Sequence, residues 1–384
     1  MSTFPKTPPL FVDPQSGDTF SFDQPRWRAP NKNPLMLTTL DGLRRTDIDT
    51  SKRSIWRYAH ALPTKIEDPI SLGEGCTPLV EGQFSGANCK FKLEWFSPTG
   101  SFKDRGASVL MSFVRQQGIN EVIEDSSGNG GAAIAAYGAA AGMAVKILVP
   151  AYTQPAKIAQ IRAYGAEVIL VPGPREATEA AAIEMADEIF YASHNWHPMF
   201  LQGTKSLGYE IWEDLGFNVP DNLVIPAGAG SNVLGCYIAF RELMASGETD
   251  RMPKIFVSQP ENCAPIHHAV NPDELEGNHQ SFAPTVAEGT AIKKPIRLQE
   301  MLQAIHETGG TTVAITEEEI IAASLTLAQS GIYIEPTCAH AAAGMKHLTD
   351  KGYIKPDQET VVVLTGSGLK ATFFYADQFE AKDT

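Results

Sequence analysis

The chain has 384 residues, 43% hydrophobic and 20% charged, enough apolar material for two or three packed cores. Its 45 acidic against 31 basic side chains give a formal charge of −14, which repels nucleic-acid phosphates and anionic membranes and argues against both as partners. The five cysteines (Cys76, Cys89, Cys236, Cys263, Cys338) are odd in number and form no CxxC pair, which argues against a disulfide scaffold or a zinc ribbon and for a reducing compartment.

The N-terminal residues carry no apolar leader, so no secretory signal is expected. Seven of the first 35 residues are proline, which predicts that residues 1–70 form an extension of turns and extended chain wrapping the large lobe. Trp27, Trp56 and Tyr58 are its expected packing anchors. From residue 71 short β-branched runs alternate with helical stretches. Gly131–Val145 is rich in alanine and glycine but carries Tyr137 and ends at Lys146, so it reads as a buried helix and a strand, not a membrane span. Val145–Val149 is a strand, 155–164 a helix closed by Gly165, and Glu167–Val171 the next strand. A helix is expected over 176–190 and another from near Gly203. Leu223–Ile225 and Ile255–Val257 are strands, with a helix from about Asn232 between them. Residues 271–296 read as a long excursion, either a site rim or a surface loop. Thr316 with Glu319 is a capping-box pair, and Val361–Leu364 a late strand. Short, apolar strands alternating with helices predict an α/β fold of two lobes, each a mainly parallel open twisted sheet flanked by helices.

The strand ends carry three glycine loops and one unusual lysine. Ser126-Ser127-Gly128-Asn129-Gly130-Gly131 precedes the alanine-rich helix and offers hydroxyls, an amide and a helix N-terminus to an anion. Pro226-Ala227-Gly228-Ala229-Gly230-Ser231-Asn232 follows a strand and opens a helix; it is neither a Walker A nor a GxGxxG sequence and suits a single phosphate. Thr365-Gly366-Ser367-Gly368 places two hydroxyls at the end of the last strand. Taken singly, each loop is equally a plain turn. Lys103, in Ser101-Phe102-Lys103-Asp104-Arg105-Gly106 after a Pro-Thr-Gly turn, becomes a nucleophile if shielded from water. A phosphate loop, a nucleophilic lysine and neutral hydroxyls for a ring nitrogen together describe a pyridoxal phosphate site.

These stretches, with Gly73-Glu74-Gly75-Cys76-Thr77-Pro78-Leu79, Lys157–Leu170, Glu335-Pro336-Thr337 and Leu364–Lys370, resemble in order the fold-type II pyridoxal phosphate enzymes, threonine synthase-like branch, over residues 71–370. The string Pro98–Gly106 looks particularly like threonine synthases. The resemblance implies a large cofactor domain of residues 71–105 and 206–384, a small mobile domain of residues 106–205, and a homodimer in the cytoplasm. It implies that Lys103 is the Schiff-base lysine and the carrier of the substrate's α-proton. Asn129 then faces the cofactor's phenolic oxygen, and Gly228, Ala229, Gly230, Ser231 and Asn232 form the phosphate cup. Thr365, or alternatively Ser367, faces the pyridine nitrogen; Ser126, Ser127 and Gly128 grip the substrate carboxylate. Glu335 is either close to the ring or a strand-end cap. A hydroxyl opposite the ring nitrogen favours elimination and replacement over transamination.

Two departures bear on the substrate. Threonine synthases resemble Asn-Pro-x-Arg ahead of Gly-x-Lys-Thr/Ser; here the stretch reads His197-Pro198-Met199-Phe200 before Gly203-Thr204-Lys205-Ser206, so Phe200 stands at the arginine position. Loss of a charge-assisted phosphate contact costs about a few kcal/mol, with Lys205, Arg162 and Asn195 the candidate replacements. Lys370-Ala371 stands where threonine synthases often continue with aspartate. The HxxH spacing of His194 and His197 suits a metal on one helical turn, but no third ligand is placed and no metal is expected. The activities implied are a threonine synthase-like lyase converting O-phosphohomoserine to threonine and phosphate, or a serine/threonine-type ammonia-lyase or other β-elimination lyase on a non-phosphorylated amino acid. A non-catalytic phosphate-ligand binding protein on the same scaffold is the reading from another class; it has no use for Lys103.

Overall fold

The computed structural model describes residues 8–126, 128–153, 155–274 and 282–380. Three two-residue strands, β1 (Phe11–Val12), β2 (Thr19–Phe20) and β3 (Met36–Leu37), form a small antiparallel sheet in the order β2-β1-β3. The chain then runs through helical turns at Arg45–Asp47 and Ile55–Ala61. β4 (Leu79–Phe84) and β5 (Ala87–Leu93) are a hairpin turning at Ser85 and Gly86, both at positive φ, as a two-residue loop between twisted strands requires. α1 (Lys103–Gln116) leads to β6 (Glu121–Asp125), α2 (Asn129–Ala141), β7 (Ala144–Pro150), α3 (Pro155–Ala163), β8 (Glu167–Val171), α4 (Arg175–Met185) and β9 (Phe190–Tyr191). α5 (Pro198–Thr204) and α6 (Ser206–Asp214) precede β10 (Asn222–Pro226), α7 (Ser231–Ala245), β11 (Lys254–Pro260) and α8 (Pro265–Val270). α9 (Leu298–Glu307), β12 (Thr312–Ile315), α10 (Glu317–Gln329), α11 (Pro336–Asp350), β13 (Thr360–Leu364) and α12 (Thr372–Glu380) complete the chain.

Two larger sheets result. One has the order β12-β11-β10-β13-β5-β4, parallel except for the edge hairpin; the other, β8-β7-β6-β9, is wholly parallel. Both faces of the first are buried. Leu223, Ile225, Ile255, Val257, Val361 and Val363 join the core under α6, α7 and α9, while the alternate residues Val224, Phe256, Val362 and Leu364 join the core under α10 and α11. That two-sided burial is why these strands read as continuous apolar runs. The second sheet packs Val122, Val145, Ile147 and Val149 against α1 and α2, and Ile123, Leu148 and Tyr191 against Ala182 of α4.

The capping box at Thr316 forms as expected: its hydroxyl accepts from Glu319 N–H at 3.3 Å, and Glu319 accepts from Thr316 N–H at 3.1 Å. Three expectations change. The helix expected over 176–190 ends at Met185, because Phe190–Tyr191 pairs with Val122–Ile123 as β9 and buries Tyr191. The helix expected from Gly203 begins at Pro198, where proline takes the first helical position and His197 Nδ1 accepts from Met199 N–H at 3.1 Å. The N-terminal extension does not lie on the large lobe alone. Phe11 and Leu35 enter the core of the smaller sheet and Trp27 packs on Tyr191 and Trp196, whereas Leu43, Ile48 and Tyr58 pack under the larger sheet.

Candidate functional site

The parallel strands β10 and β13 deliver two glycine loops to the same end of the larger sheet, and the lysine loop joins them there. Ser101 bridges Gly366, Phe102 N–H donates to the Thr365 carbonyl at 3.1 Å, and Ser367 N–H donates to the Gly100 carbonyl at 3.1 Å. Lys103 is therefore fixed beside the Thr365–Gly368 loop as the first residue of α1. Asp104 anchors that start: it accepts from the Thr99 N–H and hydroxyl at 2.7 and 2.6 Å. Thr365 is buried next to the Cys338 thiol, and the Ser367 hydroxyl accepts from Leu369 N–H at 3.2 Å. Both expected ring-nitrogen partners thus stand on one loop, Ser367 already serving as a local cap.

The first glycine loop comes from the smaller sheet. Ser126 and Gly128 precede α2; Ser127 lies outside the described residues. A Cβ on Gly131 would sit 2.2 Å from the Ser126 carbonyl oxygen, so the loop closes only with glycine there. Asn129, the first residue of α2, donates its amide to Glu335 at 2.9 and 3.2 Å. Glu335 caps the start of α11 and its carboxylate lies across Gly366, where a Cβ would meet it at 2.0 Å. It therefore ties the first loop to the third. Burial raises its pKa to about 7, opposed by Lys370, Asn129 and Lys103.

The second loop, Gly228–Gly230, leads into α7 at Ser231. Gly230 has φ +82°, and a Cβ there would fall 1.8 Å from Met301 Sδ; a Cβ on Gly228 would fall 2.9 Å from Thr290 Cα. The excursion read in the sequence thus returns to the site at Thr290, although its residues 275–281 lie outside the described set. The first turn of α7 leaves backbone N–H groups unpaired and its dipole end facing the loop. Asn232 has both side-chain polar atoms buried without a partner among the described residues, as has Ser101 Oγ.

Lys103 keeps some accessible surface, but enough protein surrounds its ammonium that desolvation lowers its pKa to about 8, against the opposing pull of Glu124 and Glu335. Its Nζ sits 4.7 Å from the centre of the Phe102 ring and 5.6 Å from that of Phe200. Glu124, buried on β6, hydrogen-bonds His194 Nδ1 and accepts from His194 N–H at 3.2 Å.

Orphaned polar atoms beside a glycine-lined helix start, a shielded lysine, and neutral hydroxyls at a strand end fit the expected cofactor: a phosphate for the loop, an aldehyde for the amine, a ring between Asn129 and Thr365. Residues 70–366 match the family described as pyridoxal-phosphate dependent enzyme. The chain belongs to that family. As such it uses pyridoxal phosphate. Among its relatives are the threonine synthase of Methanosarcina acetivorans, 37% identical over 84% of this chain and 82% of the relative, and that of Methanocaldococcus jannaschii, 34% identical over 82% and 80%. Solved structures of the same fold include the processed form of threonine deaminase isoform 2 from Solanum lycopersicum (TM-score 0.62, 24% identity, 76% of this chain and 83% of that one). Another is a fungal L-serine ammonia-lyase from Rhizomucor miehei (TM-score 0.66, 21% identity, 78% and 95%).

Of the residues considered as replacements for the missing arginine, Lys205 is not free. It is buried, paired with Glu242 at 3.0 Å and bonded to the Ala61 carbonyl at 2.6 Å. Arg162 is exposed on α3, and Asn195 gives its backbone carbonyl to Arg297 while its side-chain Oδ1 is buried without a partner among the described residues. Phe200 is fully buried against the helix face at Gly106, between Lys103 and His194. His194 and His197 do not converge on a metal: one pairs with Glu124, the other caps α5, and no cluster of metal-ligating side chains occurs among the described residues. No helix among the described residues is long and apolar enough to cross a membrane. The Glu124–His194 pair escaped the sequence reading, because the two residues are 70 positions apart and only the β6–β9 pairing brings them together.

Proposed function

We propose that this enzyme is a lyase that removes and replaces a substituent on a small amino acid, converting O-phosphohomoserine to threonine and phosphate. The observation that carries the reading is Lys103, an amine of lowered pKa held where the three glycine loops converge. Bound there, pyridoxal phosphate supplies an electron sink next to the substrate's Cα. The protein's own residues do the rest. Gly228, Ala229, Gly230, Ser231 and Asn232 hold the cofactor phosphate, and Asn129 and Thr365 or Ser367 set the ring. Ser126, Ser127 and Gly128 orient the substrate carboxylate, and Lys103 takes the proton from Cα. Two copies of the chain are expected to form a homodimer, which solution mass tests.

The decisive assay is release of phosphate and threonine from O-phosphohomoserine by the cofactor-loaded protein. One observation favours a second reading. An apolar Phe200 stands in place of a phosphate-binding arginine and Lys205 is committed to Glu242, which suits an ammonia-lyase acting on a hydroxyl-bearing, non-phosphorylated amino acid. Absence of phosphate release, with 2-oxo acid and ammonia formed from L-threonine or L-serine, selects that reading. Retained turnover in Lys103→Ala would remove the Lys103-dependent lyase reading altogether.

A further inference from the structure

His194 and Glu124 form a built pair beside the reacting lysine. The His194 ring and the Lys103 Nζ flank the same Phe200 ring, at 5.8 and 5.6 Å from its centre. The imidazole also lies directly under the start of α2: a Cβ on Gly130 would be 2.7 Å from its Cε1. It is thus wedged between the proposed substrate loop and the floor below Lys103. Glu124 is fully buried and engages both Nδ1 and the backbone N–H of His194, which fixes the ring and leaves Nε2 as its only disposable nitrogen. No hydrogen bond to Nε2 occurs among the described residues, and the His194 side chain keeps 8% of its surface exposed.

We propose that His194, backed by Glu124, transfers the proton on the oxygen that leaves or joins the substrate's Cβ. This rests on the elimination reading above. In elimination the Cα–H bond gives its proton to Lys103 and its electron pair to a new Cα–Cβ double bond. The Cβ–O bond breaks, its pair departs with the oxygen, and the Nε2 proton passes to that oxygen, so that water leaves. The proton on Glu124 moves to Nδ1, and solvent later restores the one lost. Addition of water to Cβ is the same sequence reversed, so the pair serves either substrate class. The charge balance agrees: burial lowers the His194 pKa well below its ordinary value and raises that of Glu124 to about 8, so at neutral pH the transferable proton rests on the carboxyl and the imidazole is neutral. Lys103 and Arg175 oppose charging of His194, and Asp125 favours it while itself paired to Arg175 at 2.7 Å.

The test compares leaving groups. Chloride departs from β-chloro-L-alanine without a proton, whereas oxygen chemistry needs one. His194→Asn and Glu124→Gln should lower kcat about 100-fold or more on the best of L-serine, L-threonine and O-phosphohomoserine (scored as threonine for the last), while the rate on β-chloro-L-alanine stays within about threefold. Equal losses on both, no loss on the oxygen substrate, or wild-type turnover of the chloride alone overturns the proposal. Absence of turnover of every compound by the wild type instead defeats the elimination reading itself. A readout independent of turnover is diethyl pyrocarbonate labelling of the cofactor-free protein mapped by peptide mass. His194 should be modified at Nε2 and become protected when cofactor and substrate analogue are added; an unmodified His194 overturns the proposal.

Discussion

As the proposed Schiff-base lysine, Lys103 is expected to set the pH at which the protein acquires its cofactor. Only the free amine attacks an aldehyde, and desolvation disfavours the ammonium, so the amine emerges at lower pH than on an exposed lysine. Capture of pyridoxal phosphate by the cofactor-free chain, followed by absorbance, is expected to accelerate through about pH 8. Glu335 opposes that shift, so Glu335→Gln should move the midpoint further down; an unmoved or raised midpoint would show that Glu335 does not act on the amine. Two residues on, Arg105 is fully buried between Glu94 at 2.7 Å and Glu210 at 2.9 Å. Arg105→Met should cost about 3–5 kcal/mol in urea unfolding, because buried Glu94 loses its counter-charge and Glu210 keeps only Lys92 at 2.7 Å. Lys103 was legible in the sequence because its neighbours form a continuous string. Glu124 was not: a glutamate in a short strand reads as a solvated face until pairing with a distant strand buries it.

Two of the helix starts at the candidate site depend on close approach. Gly230→Ala must place a side chain at φ +82° and against Met301, an overpacking worth about 1–3 kcal/mol before any effect on ligand. It should lower both the melting temperature of the cofactor-free chain and the affinity for pyridoxal phosphate, measured by fluorescence titration. A change in neither would mean that the α7 start does not hold the phosphate. At this scale the sequence was read best where burial is two-sided: β10 and β13 fell within a residue of their expected bounds. It was read worst at β9, whose two residues are too few to show any period, and at α5, where the start signal of Pro198 in the first helical position went unused.

Arg297 donates to the carbonyls of Asn195, Trp196 at 2.6 Å and Leu35 at 2.8 Å, and so pins the start of α9, the smaller lobe and the N-terminal extension together. Burial lowers its pKa to about 10, low for a guanidinium yet still fully charged at neutral pH. Arg297→Ala should raise amide hydrogen exchange around residues 35 and 195–196 while leaving β10–β13 protected; unchanged exchange at those residues would show that Arg297 does not hold them. The extension's division between both lobes was not legible, since proline content indicates turns but not the surface they cover. The position of β13 also bears on synthesis. It lies between β10 and β5, so the larger sheet stays in two halves until residues 360–364 have been made. The strands β6 to β9 fall within residues 121–191 and are complete long before. On the ribosome the smaller sheet is free to fold early while the apolar edges of β5 and β10 await their partner. Chaperone demand should therefore peak late in translation, and a nascent chain arrested before residue 360 should be protease-sensitive in β10 and β11 but not in β6 and β7.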